Sequence, residues 1–190
     1  MSKEKITPIR KQYLEIKKQY PNTILFFRLG DFYETFDHDA EIASTELDIV
    51  LTSRNVAKGQ RVPMAGIPFH AADNYIGRLI SKGFHVAICE QIGDQPKKGI
   101  FPRKVVRVIT PGTVIEPGLM RNDRSNYLVS IFISDENVGF AYLEISTGEF
   151  AVTEFEHDKT FTKLLAEISR LNPAEILIPE TLELEQIPGS

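Results

Sequence analysis

The chain has 190 residues, 42% apolar and 25% charged, a balance that fits a globular protein with a core and excludes a disordered or fibrous one. No run of about 18 apolar residues occurs, so no membrane-spanning helix is expected, and MSKEKITPIRKQ lacks the apolar stretch of a secretory signal. The single cysteine, Cys89, excludes an internal disulfide and fits a reducing, cytoplasmic setting, and the net charge of −4, taken whole, argues against a nucleic-acid binder.

Thr7 to Tyr20 reads as a helix, with Thr7 as its cap, Pro8 in the first turn, and Ile9, Tyr13, Ile16 and Tyr20 on one face. Thr23 to Leu29 is a β-rich apolar run, Gly30-Asp31 a turn, and Phe32 to Phe36 a short strand. A short helix is expected over 39–47 and a strand over 48–52 (DIVLT). Residues 53–62 are polar and basic and read as a loop, followed by a stiff segment from Pro63 to Pro68. Ala71 to Lys82 reads as a helix stopped by Gly83, then Phe84 to Gln91 as a strand, 93–102 as a Gly/Pro/Lys loop and Lys104 to Thr110 as a strand. Strands and helices mix without strict alternation, which predicts an α/β (α+β) domain with a mixed sheet flanked by helices.

Beyond a linker the character changes. Three strands (127–134, 137–146 and 149–155) with tight turns precede a helix over 159–171 and a strand over 175–178. This order is how a ribonuclease-H-like domain begins, and such a fold needs a further helix and strand to be complete. The domain reading is 1–112, a linker over 113–126, and a partial second domain over 127–190. Charge follows the same division. Residues 1–126 carry nineteen Lys and Arg against fourteen Asp and Glu (net +5), whereas 127–190 carry three against twelve (net −9). Within the first part, 54–107 holds ten basic and three acidic side chains, and 31–48 holds seven acids with no Lys or Arg. From charge counts alone these segments read as a solvated, mixed surface, and the alternative reading is a polyanion drawn to the first and kept off the second.

The most informative segment is Arg28-Leu29-Gly30-Asp31-Phe32-Tyr33-Glu34-Thr35-Phe36. Side chains on a strand alternate, so Phe32, Glu34 and Phe36 share a face. A bare F-x-E reads as a core Phe beside a rim charge. Its context is richer: RLGDFYE, then PMAGIPFH (63–70), AICEQIG (87–93) and RKVVRVITPGT (103–113) follow in order. Together these four blocks resemble the N-terminal mismatch-recognition domain of the bacterial MutS family over residues 6–125, and the hairpins after it resemble the start of that family's connector domain.

The resemblance implies a sensor of mispaired or unpaired bases in duplex DNA, part of DNA mismatch repair. The residue matching Phe32 enters the minor groove and stacks on the displaced base, and the one matching Glu34 hydrogen-bonds to it. An aromatic wedge must unstack a step and kink the duplex, which costs least where pairing is already weak. The carboxylate would penalise intact DNA, and beside phosphates its protonated form, a donor to a base nitrogen, would be favoured. Arg54, Arg103, Lys104 and Arg107 match or adjoin positions that meet backbone or groove, Arg107 being read on the polar face of its strand between Val106 and Val108. Met64 and Gly66 match a loop beside the wedge, and Leu29 and Gln91 are further DNA-binding candidates. For the full-length family the resemblance implies ATP and Mg as cofactors, dimers, engagement of MutL, and a cytoplasmic, nucleoid-associated location.

No G-x-x-x-x-G-K-[ST] P-loop is present, so neither ATPase activity nor a cofactor is expected of this segment itself. His70 with Asp73, and His38 between Asp37 and Asp39, are too few ligands for a metal and read as capping or surface groups. Cys89 reads as a core thiol. Two other functions stand beside the sensor: a metal-dependent nuclease using Asp31, Glu34 and Glu90, and a protein-interaction module using the acidic second half.

Overall fold

The computed structural model describes residues 6–57, 59–93, 95, 99–115, 125–158 and 160–180. The expected linker falls largely on 116–124, outside the described residues, as do Lys97 and Lys98 of the Gly/Pro/Lys loop. The chain divides into two compact units, Met1–Thr110 and Pro111–Ser190.

The first unit begins with α1 (Pro8–Lys17), whose cap Thr7 accepts a hydrogen bond from the Arg10 amide at 3.3 Å. It continues through β1 (Ile24–Leu29), β2 (Phe32–Phe36), α2 (Asp37–Leu47), β3 (Thr52–Ala57), β4 (Gln60–Pro68), α3 (Ala72–Ile80), β5 (Val86–Gln91) and β6 (Arg103–Ile109). The six strands form one sheet in the order β3-β4-β2-β1-β5-β6. Neighbours are antiparallel except β1 and β5, which run parallel, so the sheet is mixed as the sequence predicts.

Leu25, Phe26 and Phe27 are all inaccessible to solvent, and consecutive strand residues point to opposite faces, so this sheet is covered on both sides. On one face Tyr13 and Ile16 of α1 pack against Leu25, Phe27, Phe36, Ala87 and Cys89. Tyr13 meets Phe27 and Phe36 edge-on, with ring centroids 5.6 and 4.8 Å away. The other face carries Phe26, Tyr33, Ala65 and Ile67, and α2 and α3 contribute Ala40, Ala43, Leu47, Ile76 and Leu79 to the core. Burial pushes the Cys89 thiol up to about 12, as befits a core thiol.

Two expectations fail in one stretch. The strand read over 48–52 is absent: Asp48 takes a left-handed conformation (φ 55°) that ends α2, and Val50 and Leu51 are exposed. The loop read over 53–62 is instead mostly strand, with β3 and β4 paired as a hairpin. Both errors share a cause. An apolar run reads as a strand and a polar run as a loop. Yet β3 is the last strand of the sheet, where charged and polar side chains are the normal occupants.

The second unit contains β7 (Tyr127–Ile133), β8 (Asn137–Glu144) and β9 (Glu149–Glu156), then α4 (Thr162–Leu171) and β10 (Glu175–Leu177). Its sheet runs β10-β7-β8-β9, with β10 parallel to β7 and the other pairs antiparallel. Leu164 and Leu171 of α4 close a core of Val129, Ile131, Val138 and Phe140 on one face. The register puts Phe132, Phe150 and Val152 on the other face with Ala141 and Leu143, and the first three are about two-thirds exposed. Glu144 ends β8 as a buried carboxylate. Its oxygens accept from the Asn126 amide (3.0 Å), the Ser146 hydroxyl (2.8 Å) and the Thr147 amide (2.6 Å). These donors, the Asn126 amide first, hold its carboxyl down at about 2.

Candidate nucleic-acid interface

The site starts from a tight turn. Gly30, at φ 59°, supplies the left-handed residue that lets β1 fold straight back into β2, with Leu29 opposite Phe32. The Phe69 amide donates to the Asp31 carbonyl at 3.0 Å, tying the end of β4 to the turn. Because β2 lies between β1 and β4, its backbone is paired on both sides. A side chain at its first position therefore stands on rigid support.

Exposure rises along one face of β2. Phe36 is 3% exposed beneath α1, Glu34 is half-buried, and Phe32, nearest the turn, is 47% exposed. The neighbours on that face follow from the register. Across β4, Met64 lies opposite Phe36, Gly66 opposite Glu34 and Pro68 opposite Phe32. One strand further, Arg54 lies opposite Val62. On the other side stands Leu29, and beyond it the pair Gln91 and Arg103, in step with Cys89 and Val105. Eight of the ten candidates (Leu29, Phe32, Glu34, Arg54, Met64, Gly66, Gln91 and Arg103) thus share one face of the sheet.

Lys104 and Arg107 do not. Lys104 is paired with Glu90 and Arg107 with Ile88, both on the opposite face. The expected polar placement of Arg107 is also corrected. The register shifts between Ile88 and Cys89, an extra residue on β6, so the alternation is broken. Val106 and Val108 are the exposed residues there, and Arg107 is half-buried.

Glu34 is not a bare charge. Its Oε2 accepts from Arg54 Nη1, which also stands 4.0 Å from Met64 Sδ. Gly66 leaves an open slot beside it. A methyl group there would lie 3.4 Å from the Tyr33 carbonyl, 3.7 Å from Glu34 Cγ and 3.9 Å from Phe32 Cδ1. Arg103 faces inward: Nε donates to the Arg28 carbonyl (2.7 Å), and Nη1 to Gln12 Oε1 and the Phe101 carbonyl (both 3.1 Å). With its guanidinium 5.0 Å from the Phe27 ring centre, it braces the end of β1 against α1.

Three supporting residues were not singled out by sequence reasoning. Arg28 Nε donates to the Gly30 carbonyl at 2.5 Å, and its guanidinium lies 3.6 Å over the Phe69 ring, clasping the turn from the other face. Tyr33 donates its hydroxyl to Glu90, and burial, then that bond, pushes the phenol up to about 12. Arg28 and Phe69 lie inside the quoted sequence blocks. Their meeting depends on a pairing of β2 with β4 that local sequence does not encode.

The nuclease alternative finds no support. Glu34 is paired with Arg54 and Glu90 with Tyr33, and among the described residues no three His, Cys, Asp or Glu side chains are placed to hold a metal ion. No helix among the described residues is long and apolar enough to cross a membrane.

Comparison with known proteins reaches the same region of the chain. The family model described as MutS domain I matches residues 7–117, and that of MutS domain II matches 126–187. The chain is 54% identical over 182 residues to the DNA mismatch repair protein MutS of Dehalococcoides mccartyi, covering 95% of this chain and 21% of that protein. It is 55% identical over 181 residues to the MutS of Desulforamulus reducens, covering 94% and 21% respectively. With the MutS of Pelotomaculum thermopropionicum it shares 56% over 170 residues, covering 89% and 20%. The chain therefore spans about a fifth of the length of these curated relatives. With a domain model matched over more than half its length and such identities along most of it, this chain belongs to the MutS family.

Proposed function

We propose that this chain is the mismatch-sensing part of a DNA mismatch repair protein, with Phe32 as a minor-groove wedge and Glu34 as the group that tests the base beside it. The observation that carries this reading is the half-exposed ring of Phe32 on a strand paired from both sides, next to a carboxylate and a glycine. Unstacking a base step costs a few kcal/mol, and stacking the base on an aromatic ring returns roughly 1–3 kcal/mol. That balance fails at a well-paired step and succeeds where a base is already loose. A ring on rigid backbone does not yield, so the DNA must, and the site reads deformability rather than sequence. Gly66 lets a displaced base approach both side chains without meeting a wall.

Arg54, at the edge of the same face, supplies the positioning contact to phosphate. Lys104 and Arg107 act on DNA only if the duplex wraps past the β6 edge. The whole protein, on this reading, is cytoplasmic, dimeric, works with MutL and uses ATP and Mg. On this reading the nucleotide site belongs to parts of that protein other than this segment, whose sequence carries no P-loop motif.

The test places this chain in a full-length MutS in exchange for the corresponding segment. Affinity is measured for a G·T duplex, a single-base-loop duplex and a perfect duplex, with and without Phe32→Ala. Binding tenfold or more tighter to the defects, abolished by Phe32→Ala while perfect-duplex binding persists, supports the reading. An unchanged preference in the variant refutes it.

A further inference from the structure

We propose that Arg54 is a specificity-determining residue of this site: it holds Glu34 in the unbound protein, so a displaced base must compete with the guanidinium for the carboxylate. The proposal rests on the mismatch-sensing reading above.

The two partners are unequally placed. The Glu34 side chain is 15% exposed and that of Arg54 is 37% exposed. Glu34 lies on the inner strand β2, paired on both sides, whereas Arg54 belongs to the edge strand β3. The contacts of Arg54 with Glu34 and Met64 both run through Nη1. A guanidinium carries five N–H donors in a fixed fork, so the more exposed partner can turn further donors outward to a phosphate while still covering the carboxylate.

Arg54 therefore has two effects of opposite sign on discrimination. As a phosphate contact it helps every duplex alike. As the partner of Glu34 it masks the negative charge that would repel a well-paired duplex, and it also opposes the hydrogen bond that a loose base offers. Both consequences of masking favour intact DNA relative to a mismatch. Removing Arg54 leaves the carboxylate bare: an intact duplex meets unrelieved repulsion, and a displaced base meets an acceptor with no competing partner. A plain phosphate anchor behaves differently, because its loss weakens all duplexes by one factor.

The experiment is a double-mutant cycle in the full-length MutS carrying this chain. The proteins are wild type, Arg54→Ala, Glu34→Gln and the double variant, each titrated with G·T and perfect duplexes at fixed salt. Arg54→Ala is expected to weaken perfect-duplex binding more than G·T binding, raising the preference about two- to fivefold, the range of a partly exposed ion pair. In the Glu34→Gln background the same change is expected to weaken both duplexes equally. A preference unmoved by Arg54→Ala, or moved equally in both backgrounds, overturns the proposal. Thermal unfolding of the same four variants of the isolated chain reads the pair without DNA, and strictly additive shifts there also overturn it. Phe32→Ala in the same series separates this failure from that of the sensing reading. If wild type shows no preference, or Phe32→Ala keeps it, the sensing reading falls and the role of Arg54 with it. If the preference depends on Phe32 and Arg54 proves additive, the present inference falls alone.

Discussion

The six-stranded sheet has helices on both faces and leaves Phe32 standing at one end of a face, braced from both neighbouring strands. The four-stranded sheet has its helix on one face and displays Phe132, Phe150 and Val152 across the other. The charge differs as sharply, with +5 over residues 1–126 and −9 over 127–190. The contrast lies in how apolar area is exposed: a lone ring on a strand paired from both sides, beside basic and acidic groups, in the first sheet, and several side chains spread over one face in the second.

The largest effect that sharpens this comparison is expected at Glu144. Replacing it with Ala leaves the Asn126 and Thr147 amides and the Ser146 hydroxyl without their acceptor, at a cost of about 1–3 kcal/mol. Chemical denaturation should show the loss in the second unit, with the first unit and DNA discrimination unchanged. Acid should reproduce it. The Glu144 carboxyl is held at about 2, below its ordinary value of 4.5, so its contribution is complete above the ordinary value and disappears as pH falls toward the lower one. Unfolding of the second unit followed from pH 6 to pH 2 should show this dependence (roughly the window between the two values), and Glu144→Gln should flatten it. A loss of mismatch preference in Glu144→Ala would contradict the proposal that the first unit carries the sensing.

The smallest stability effect is expected at Gly66, and there the functional effect is the larger one. A methyl group would fit at 3.4–3.9 Å from its neighbours, so Gly66→Ala should cost less than about 1 kcal/mol in stability. It would also fill the slot between Glu34 and an incoming base. Titration with G·T and perfect duplexes should show the preference reduced several-fold. If a folded Gly66→Ala leaves discrimination intact, the slot has no role.

Much of this was legible in the sequence where local chemistry decides the outcome. Thr7-Pro8 starts α1, Gly30 makes the turn, Gly83 follows α3, and the β2 limits of Phe32 and Phe36 come directly from alternation. The shared face of Phe32, Glu34 and Phe36 was likewise readable. What local sequence hides is pairing at a distance. The polar strand β3 looks like a loop until β4 lies beside it. Arg107 looks like the outward member of its strand until the extra residue opposite Ile88 and Cys89 turns it over. The ion pair of Glu34 with Arg54 joins residues two strands apart in the sheet, a partner that local sequence does not reveal. Arg103, expected at DNA, is engaged with Gln12 and two carbonyls for the same reason.

The central claim is that a rigid ring forces the duplex to bend where it is weak. It is tested most directly by the end-to-end distance of a labelled duplex, read by energy transfer, in complex with the full-length MutS that carries this chain. The predicted result is a sharp bend on single-base-loop DNA, a straight perfect duplex, and no bend at the loop with Phe32→Ala, compared at saturating protein. A loop duplex bent equally by wild type and Phe32→Ala would contradict the claim.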